Sequence, residues 1–281
     1  MQRAFALLGT IVLLMGLATF SQAETIYISQ DFEDAEFTVG YEFTSMSDGL
    51  GDASITEGLW RRGYGTHGAY PAVSDISARS GSKSILLDRE YDNTQTYRFW
   101  GYTEVPEGDG ITSGQFVASA YFNRNGTGGT CAAFRPDYPG NVTDSSWETI
   151  ETGYVSFSDG ELKARTWKGV NAWSDPILTV PETGWFGVAM VVDLDTNYYD
   201  VWYDDGSGWT EVSSDIEMNN PSPPLAINSI QFLPQAPADG YVLVDDIMLY
   251  SGSTVIPEPS TLALLACGLL GLLAYAWRKR R

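Results

Sequence analysis

The strongest constraint this sequence places on its fold is an alternation of period two. Along Gln115 to Arg124, Phe116, Ala118, Ala120 and Phe122 fall on one side, the pattern of a strand with one face against a core. Phe186, Val188, Met190, Val192 and Leu194 repeat it in the next long case, and Ser84 to Leu87 and Tyr241 to Tyr250 are further apolar strand candidates. Ser158-Asp159-Gly160 lies between Tyr154–Phe157 and Leu162–Trp167, a hairpin signal, and Asp204-Asp205-Gly206-Ser207-Gly208 does the same after Tyr199–Tyr203. Outside the two ends there is no long helical periodicity and no repeat of fixed period. The 29 glycines and 13 prolines of the 281 residues then favour an all-β sandwich or barrel over a solenoid or propeller.

Both ends break the pattern. Arg3 precedes a mostly apolar run from Ala4 to Phe20, and Ser21-Gln22-Ala23 sets small residues at the positions a signal peptidase reads. Residues 1–23 are therefore expected to be a secretory signal peptide; a retained anchor is the alternative, against which the small residues closing the run speak. At the other end the 17 residues from Thr261 to Trp277 are uncharged, the lower limit of about 17–25 for a helix that spans a bilayer. Arg278, Lys279, Arg280 and Arg281 follow at once. Such a basic flank stays cytoplasmic, so everything before the span is expected outside. Two prolines, Pro257 and Pro259, disfavour helix just before it and leave an extended strip.

Pro257-Glu258-Pro259-Ser260, an apolar run and Arg278-Lys279-Arg280-Arg281 together resemble the PEP-CTERM sorting signal of Gram-negative bacteria. The resemblance implies an exosortase-type sorting protease as partner, with Pro257, Glu258 and Pro259 as the sorting motif. It also implies an inner-membrane intermediate held by its C-terminal helix and a destination at the cell surface or beyond. Proteins of this kind often accompany exopolysaccharide production. The division expected from the sequence is a signal peptide at 1–23, a β-sandwich domain at 24–251, a linker at 252–256 and the sorting signal at 257–281.

The segment Glu24 to Ile256 holds 35 of the 36 acids and 11 of the 16 bases, a formal charge near −24. Such a surface repels nucleic acid and anionic headgroups and suits either a solvated exported protein or one that attracts divalent cations. Cys131 stands alone in this segment and Cys267 lies in the tail, so a disulfide framework and a thiolate metal site are both excluded.

Ile26-Tyr27-Ile28-Ser29-Gln30-Asp31-Phe32-Glu33 opens the domain, Ser80-Gly81-Ser82-Lys83-Ser84-Ile85-Leu86-Leu87 follows, and Tyr241 to Tyr250, with Asp245-Asp246-Ile247, closes it. These stretches resemble concanavalin A-like or laminin G-like jelly rolls, as does the strand from Trp185 to Asp193, and the resemblance implies a two-sheet jelly-roll sandwich whose terminal strands lie close. Related carbohydrate-binding modules often hold a structural Ca²⁺ there, and hard carboxylate oxygens suit that ion. Asp31, Glu33, Asp245 and Asp246 are the candidate ligands, a solvated acidic sheet edge being the alternative. Strict alternation puts Leu243, Asp245, Ile247 and Leu249 on one face of the last strand and Asp246 on the other, so one carboxylate falls in an apolar row and needs a cation, an Arg or N–H donors.

The loop from Trp60 to Pro71 collects two arginines, the chain's one His and three aromatics among glycines. Aromatic faces stack on sugar rings and guanidinium groups donate to hydroxyls or sugar acids, which makes Trp60, Arg61, Tyr64 and His67 candidate glycan contacts; packing over the end of the sandwich is the alternative. The Glu-x-Asp-x-x-Glu strand of jelly-roll glycoside hydrolases is missing, so no catalytic residue is assigned. The expectation is an exported, non-catalytic protein associated with polysaccharide in a lectin-like way. A polysaccharide hydrolase or lyase and a purely structural matrix protein are the alternatives.

Overall fold

The computed structural model describes residues 25–43, 49–52, 58–62, 71–88, 99–102, 111–125, 131–137, 153–158, 160–167, 171–218, 227, 229–235, 241–253 and 255. The alternating segments all become strands, and among the described residues there is no helix. In chain order they are β1 (Ile26–Gln30), β2 (Gly49–Asp52), β3 (Gly58–Arg62), β4 (Ala72–Ser74), β5 (Ser84–Asp88), β6 (Phe99–Tyr102), β7 (Gln115–Asn125), β8 (Cys131–Asp137) and β9 (Val155–Ser158). There follow β10 (Glu161–Trp167), β11 (Asn171–Trp173), β12 (Leu178–Thr179), β13 (Trp185–Asp193), β14 (Tyr198–Asp204), β15 (Thr210–Glu217), β16 (Ser229–Gln235) and β17 (Tyr241–Ser251).

Two sheets result. The first runs β15-β14-β13-β7-β17-β5-β4, with β1 also on β17; the second runs β11-β10-β9-β8-β16-β6-β3-β2, with β12 also on β10. From β5 to β8 the chain changes sheet at every connection, and it changes again from β16 to β17. That wrapping is the jelly-roll pattern. The β9–β10 hairpin pairs Ser158 with Glu161, and Gly160 takes the positive φ of 76° that so tight a turn demands.

The alternation sorts the core. Phe116, Ala118, Ala120 and Phe122 of β7 and Phe186, Val188, Met190 and Val192 of β13 are fully buried between the sheets. Phe122 is the hub, with ring centroids 4.7 Å from Phe157 and 6.0 Å from both Phe186 and Phe232. In β17 the alternation changes phase. Asp245 pairs with Tyr121 but Met248 pairs with Ser119, so one extra residue is inserted there, and Asp246 sits at φ 47°. This β-bulge makes Val242 and Val244, then Ile247 and Leu249, the inward residues. Leu243, Asp245, Ile247 and Leu249 therefore do not share a face.

Trp60 corrects another expectation. It belongs to β3, has no exposed surface, and packs 5.2 Å from Phe32 and 5.3 Å from Phe99, nearly parallel to the latter. The indole also occupies the space over Gly101 where a Cβ would lie, so the partner strand needs glycine at that position. An aromatic so enclosed cannot stack on a sugar. Trp60→Ala should cost about 3–5 kcal/mol of stability, read as a lower denaturation midpoint in urea. A midpoint unchanged by the substitution would return Trp60 to the surface.

Candidate functional site

The carboxylates offered to a metal ion sit where two strands meet on one edge of β17. Val244 pairs with Ile85 of β5, and Ile247 pairs with Gln30 of β1. Between them is the bulge at Asp245 and Asp246, and the loop before β5 fills the gap. Arg79 and Ser80 donate their backbone N–H groups to Asp245 Oδ2 at 2.8 and 3.3 Å, and Asp246 N–H donates to Oδ1 at 2.8 Å. The Ser80 hydroxyl donates to Asp246 Oδ1 at 2.6 Å. One turn on, Ser82 and Lys83 donate N–H groups to Glu33 Oε1 at 2.7 and 2.6 Å, the Ser82 hydroxyl reaches Oε2 at 3.0 Å, and Lys83 Nζ binds the carbonyls of Glu33 and Asp34. Gly81, at φ 59°, lies against the Glu33 carboxyl where any Cβ would collide with it.

Asp31 and Glu33 lie just beyond β1 rather than on it. Phe32, between them, turns into the core at φ 60°, and Asp31 Oδ1 accepts the Glu33 N–H at 3.1 Å. The carboxylates of Asp31, Glu33, Asp245 and Asp246 thus receive N–H and O–H donors. Among the described residues no three His, Cys, Asp or Glu side chains converge on a point that could hold a metal ion. In this arrangement the four side chains form a hydrogen-bonded clamp.

Burial raises the Glu33 pKa, but the N–H groups of Ser82 and Lys83, the Ser82 hydroxyl and the Lys83 charge outweigh it and hold the carboxyl below its usual range. Asp245 goes the other way. Burial, then the charge of Asp246, push it up to about 8 against the pull of its three N–H donors.

Of the remaining glycan candidates, Arg61 lies on β3 beside Trp60, and Tyr64 and His67 lie outside the described residues, as do Pro257, Glu258 and Pro259. The structure instead offers aromatic surface on the outer face of the first sheet. Cross-strand register lays that face out in rows. One is Asp245–Tyr121–Gly187–Asp204; the next is Met248–Ser119–Ala189–Trp202–Glu211; a third is Tyr250–Val117–Val191–Asp200. The middle strands bring small residues, and two half-buried indoles, Trp202 and Trp209, lie over them. A Cβ on Gly187 would come within 2.6 Å of the Trp209 ring and 3.0 Å of the Tyr121 ring.

The turn between β14 and β15 sets Trp209 in place. Asp204 Oδ1 accepts the N–H groups of Gly206 and Gly208 at 2.7 and 2.9 Å, both glycines at positive φ, and its Oδ2 accepts the Tyr121 hydroxyl at 2.7 Å. The Arg79 guanidinium lies 4.6 Å above the Tyr121 ring, a favourable stack. Trp202 Nε1–H is buried with no hydrogen-bond partner among the described residues. Flat aromatic faces edged by fixed polar groups are what sugar stacking requires. The sequence carried Asp204-Asp205-Gly206-Ser207-Gly208 as a turn, but nothing in it said that Trp209 and Trp202 would lie on one face.

Val255 is the other residue placed unexpectedly. It lies in the segment expected as a linker, yet it is buried in a satellite cluster with Val117, Ala189, Val191 and Tyr250 on this same face.

Two measurements test the clamp. Folded Asp245 keeps its proton up to about 8, whereas an unfolded aspartate loses it near 3.9. Its contribution to stability is therefore full below the unfolded value and is lost as pH rises through the folded one. Asp245→Asn should fall less in stability than the wild type as pH rises from about 5 to about 8; equal slopes would show that Asp245 does not titrate there. Chelation with EDTA should leave the melting temperature unchanged, and a drop would restore the metal.

Comparison with known proteins agrees with the fold. A carbohydrate esterase from the Shiga toxin-encoding bacteriophage phi24B superposes at a TM-score of 0.51, with 14% identity over 82% of this chain and 100% of that one. The globular domain of T. cruzi calreticulin gives 0.52, with 13% identity over 90% and 98%. At such identities the likeness is one of fold alone. No curated protein matches the sequence. Residues 255–281 match the PEP-CTERM protein-sorting motif, and the chain therefore carries that motif behind a two-sheet β-sandwich.

Proposed function

We propose that this is an exported surface or matrix protein that is sorted through its C-terminal motif and associates with polysaccharide without transforming it. The observation that carries the reading is the sorting motif at 255–281, which marks an exported protein anchored at its C-terminus before processing and implies an exosortase as processing partner. Among the described residues no helix is long and apolar enough to cross a membrane, and the span expected at 261–277 lies outside them.

Two features support polysaccharide as ligand. The indoles of Trp202 and Trp209 present aromatic surface beside Tyr121, Asp204 and Arg79, and one protein of similar fold is named a carbohydrate esterase. The formal charge of −20 makes a neutral glycan a better ligand than a strongly anionic one. The reading as binding rather than catalysis is supported by the partners that the acids nearest the aromatic rings already have. Asp204 is spent on its turn and on Tyr121, and Asp245 on the β17 clamp.

Affinity electrophoresis of the chain through gels containing neutral and acidic polysaccharides tests this. Retardation by a neutral polymer is expected. Trp209→Ala should weaken it about tenfold to a hundredfold, the loss of roughly 1.5–3 kcal/mol of aromatic contact, while Trp60→Phe leaves it intact. Release of reducing ends or unsaturated sugars would make the protein an enzyme, and neither binding nor turnover would leave a structural matrix role.

A further inference from the structure

The outer face of the second sheet differs from that of the first in charge and in what it sets side by side. Leu162 and Ala164 of β10 are buried in the core, so Lys163 and Arg165 stand on the outer face. Lys163 Nζ pairs with Glu161 Oε2 at 2.7 Å. Arg165 lies against rings. Its guanidinium carbon is 5.3 Å from the centre of the Tyr154 ring and 5.9 Å from that of Trp173, its partner on β11. The two rings are 5.1 Å apart. The backbone beneath them is fixed from inside the sandwich. Arg165 N–H donates to Tyr154 O at 2.8 Å, and the Tyr199 hydroxyl of β14 lies 2.6 Å from Arg165 O and 3.1 Å from Tyr154 O. Tyr154 is enclosed, whereas Trp173 keeps 44% of its surface exposed.

Register adds to the charge of this face. Arg61 pairs with Trp100, Trp100 with Gln231, and Gln231 with Arg135, at positions that alternate with the inward Trp60, Phe99 and Phe232. On the described strands of this face Arg61, Arg135, Lys163 and Arg165 stand against Asp137 and Glu161, four bases to two acids, in a chain of net charge −20. The rows of the first sheet carry Asp200, Asp204, Asp245 and Glu211 on their outer face instead. Salt screens charges beyond about 8 Å, so the bases within reach decide what the second sheet accepts, rather than the acids elsewhere.

We propose that the outer face of the second sheet holds a second saccharide site, centred on Arg165 and Trp173, that takes a uronic acid of a polysaccharide chain. The forked N–H donors of a guanidinium suit a carboxylate, and the exposed face of Trp173 suits the sugar ring that carries it. A neutral sugar would gain only the indole, and a small carboxylate only the guanidinium. The rings of Tyr154 and Trp173 hold the Arg165 side chain between them, so little of its freedom remains to be lost on binding. This site is separate from the indoles of the first sheet and does not depend on them.

Fluorescence anisotropy with the full chain tests this. The probes are labelled oligomers of galacturonate, glucuronate and mannuronate, each beside its carboxyl-reduced, neutral counterpart. At least one uronate oligomer should bind, and its reduced counterpart should bind the unaltered protein at least about tenfold more weakly. Arg165→Gln should weaken uronate binding about tenfold to a hundredfold and Trp173→Ala about tenfold, while Trp209→Ala leaves it unchanged. Affinity should fall as salt rises. Failure of all three uronates to bind would overturn the proposal. Equal affinity for a uronate and its reduced form would overturn it too, since that comparison needs no altered protein. A loss in Trp209→Ala as large as in Arg165→Gln would move the acidic sugar to the first sheet. Retardation by neutral polymer is a separate reading, so either site can fail without the other.

Discussion

The closing strand is held in place by one buried carboxyl group, that of Asp245. β17 lies between β7 on one side and β5 followed by β1 on the other, so the first and last strands and the 11-residue β7 meet there. Where β5 gives way to β1 the ladder has a gap, and Asp245 fills it by accepting three backbone N–H groups. The same gap is where β17 bulges and changes phase, so that Val242 and Val244 on one side of it and Ile247 and Leu249 on the other all reach the core. Without that extra residue, one half of the strand would present its apolar side chains to the wrong face.

Clamp and platform are parts of one surface. Arg79 gives its backbone N–H to Asp245 and lays its guanidinium on Tyr121, while Tyr121 donates to Asp204 and Asp204 caps the turn that delivers Trp209. Ser77, on the same loop, accepts from the Trp185 indole at 3.0 Å. The loop between β4 and β5 therefore reaches across β17 and β7 to β13, and the polar row it meets is continuous from the bulge to the aromatic side chains. The indole of Trp209 and the clamp are linked through Tyr121.

Much of this architecture could be read from the residues alone. Phe116 to Phe122 and Phe186 to Val192 announce their strands and facing because a period of two leaves no other use for such a run. The two terminal strands were matched correctly as neighbours, and the sorting motif was legible from its three parts in order. The local geometry around Asp246 was not, because a bulge depends on which strands abut, and that is a property of the sheet. Trp60 misled for a related reason. Its sequence neighbours are glycines and arginines, as in a surface loop, whereas its spatial neighbours are Phe32, Phe99 and Gly101. Trp202 and Trp209 were invisible as a pair because cross-strand register brings them together. Val255 looked like spacer because its partners are far away in the chain.

The seat of Trp209 has one more consequence. Its ring rests where position 187 has no side chain, with the nearest ring atom 2.6 Å from the place a methyl group would take. Alanine there would lever the indole away from the β-strands. The pose of the Trp209 ring over the sheet is set by the absence of a single carbon atom beneath it.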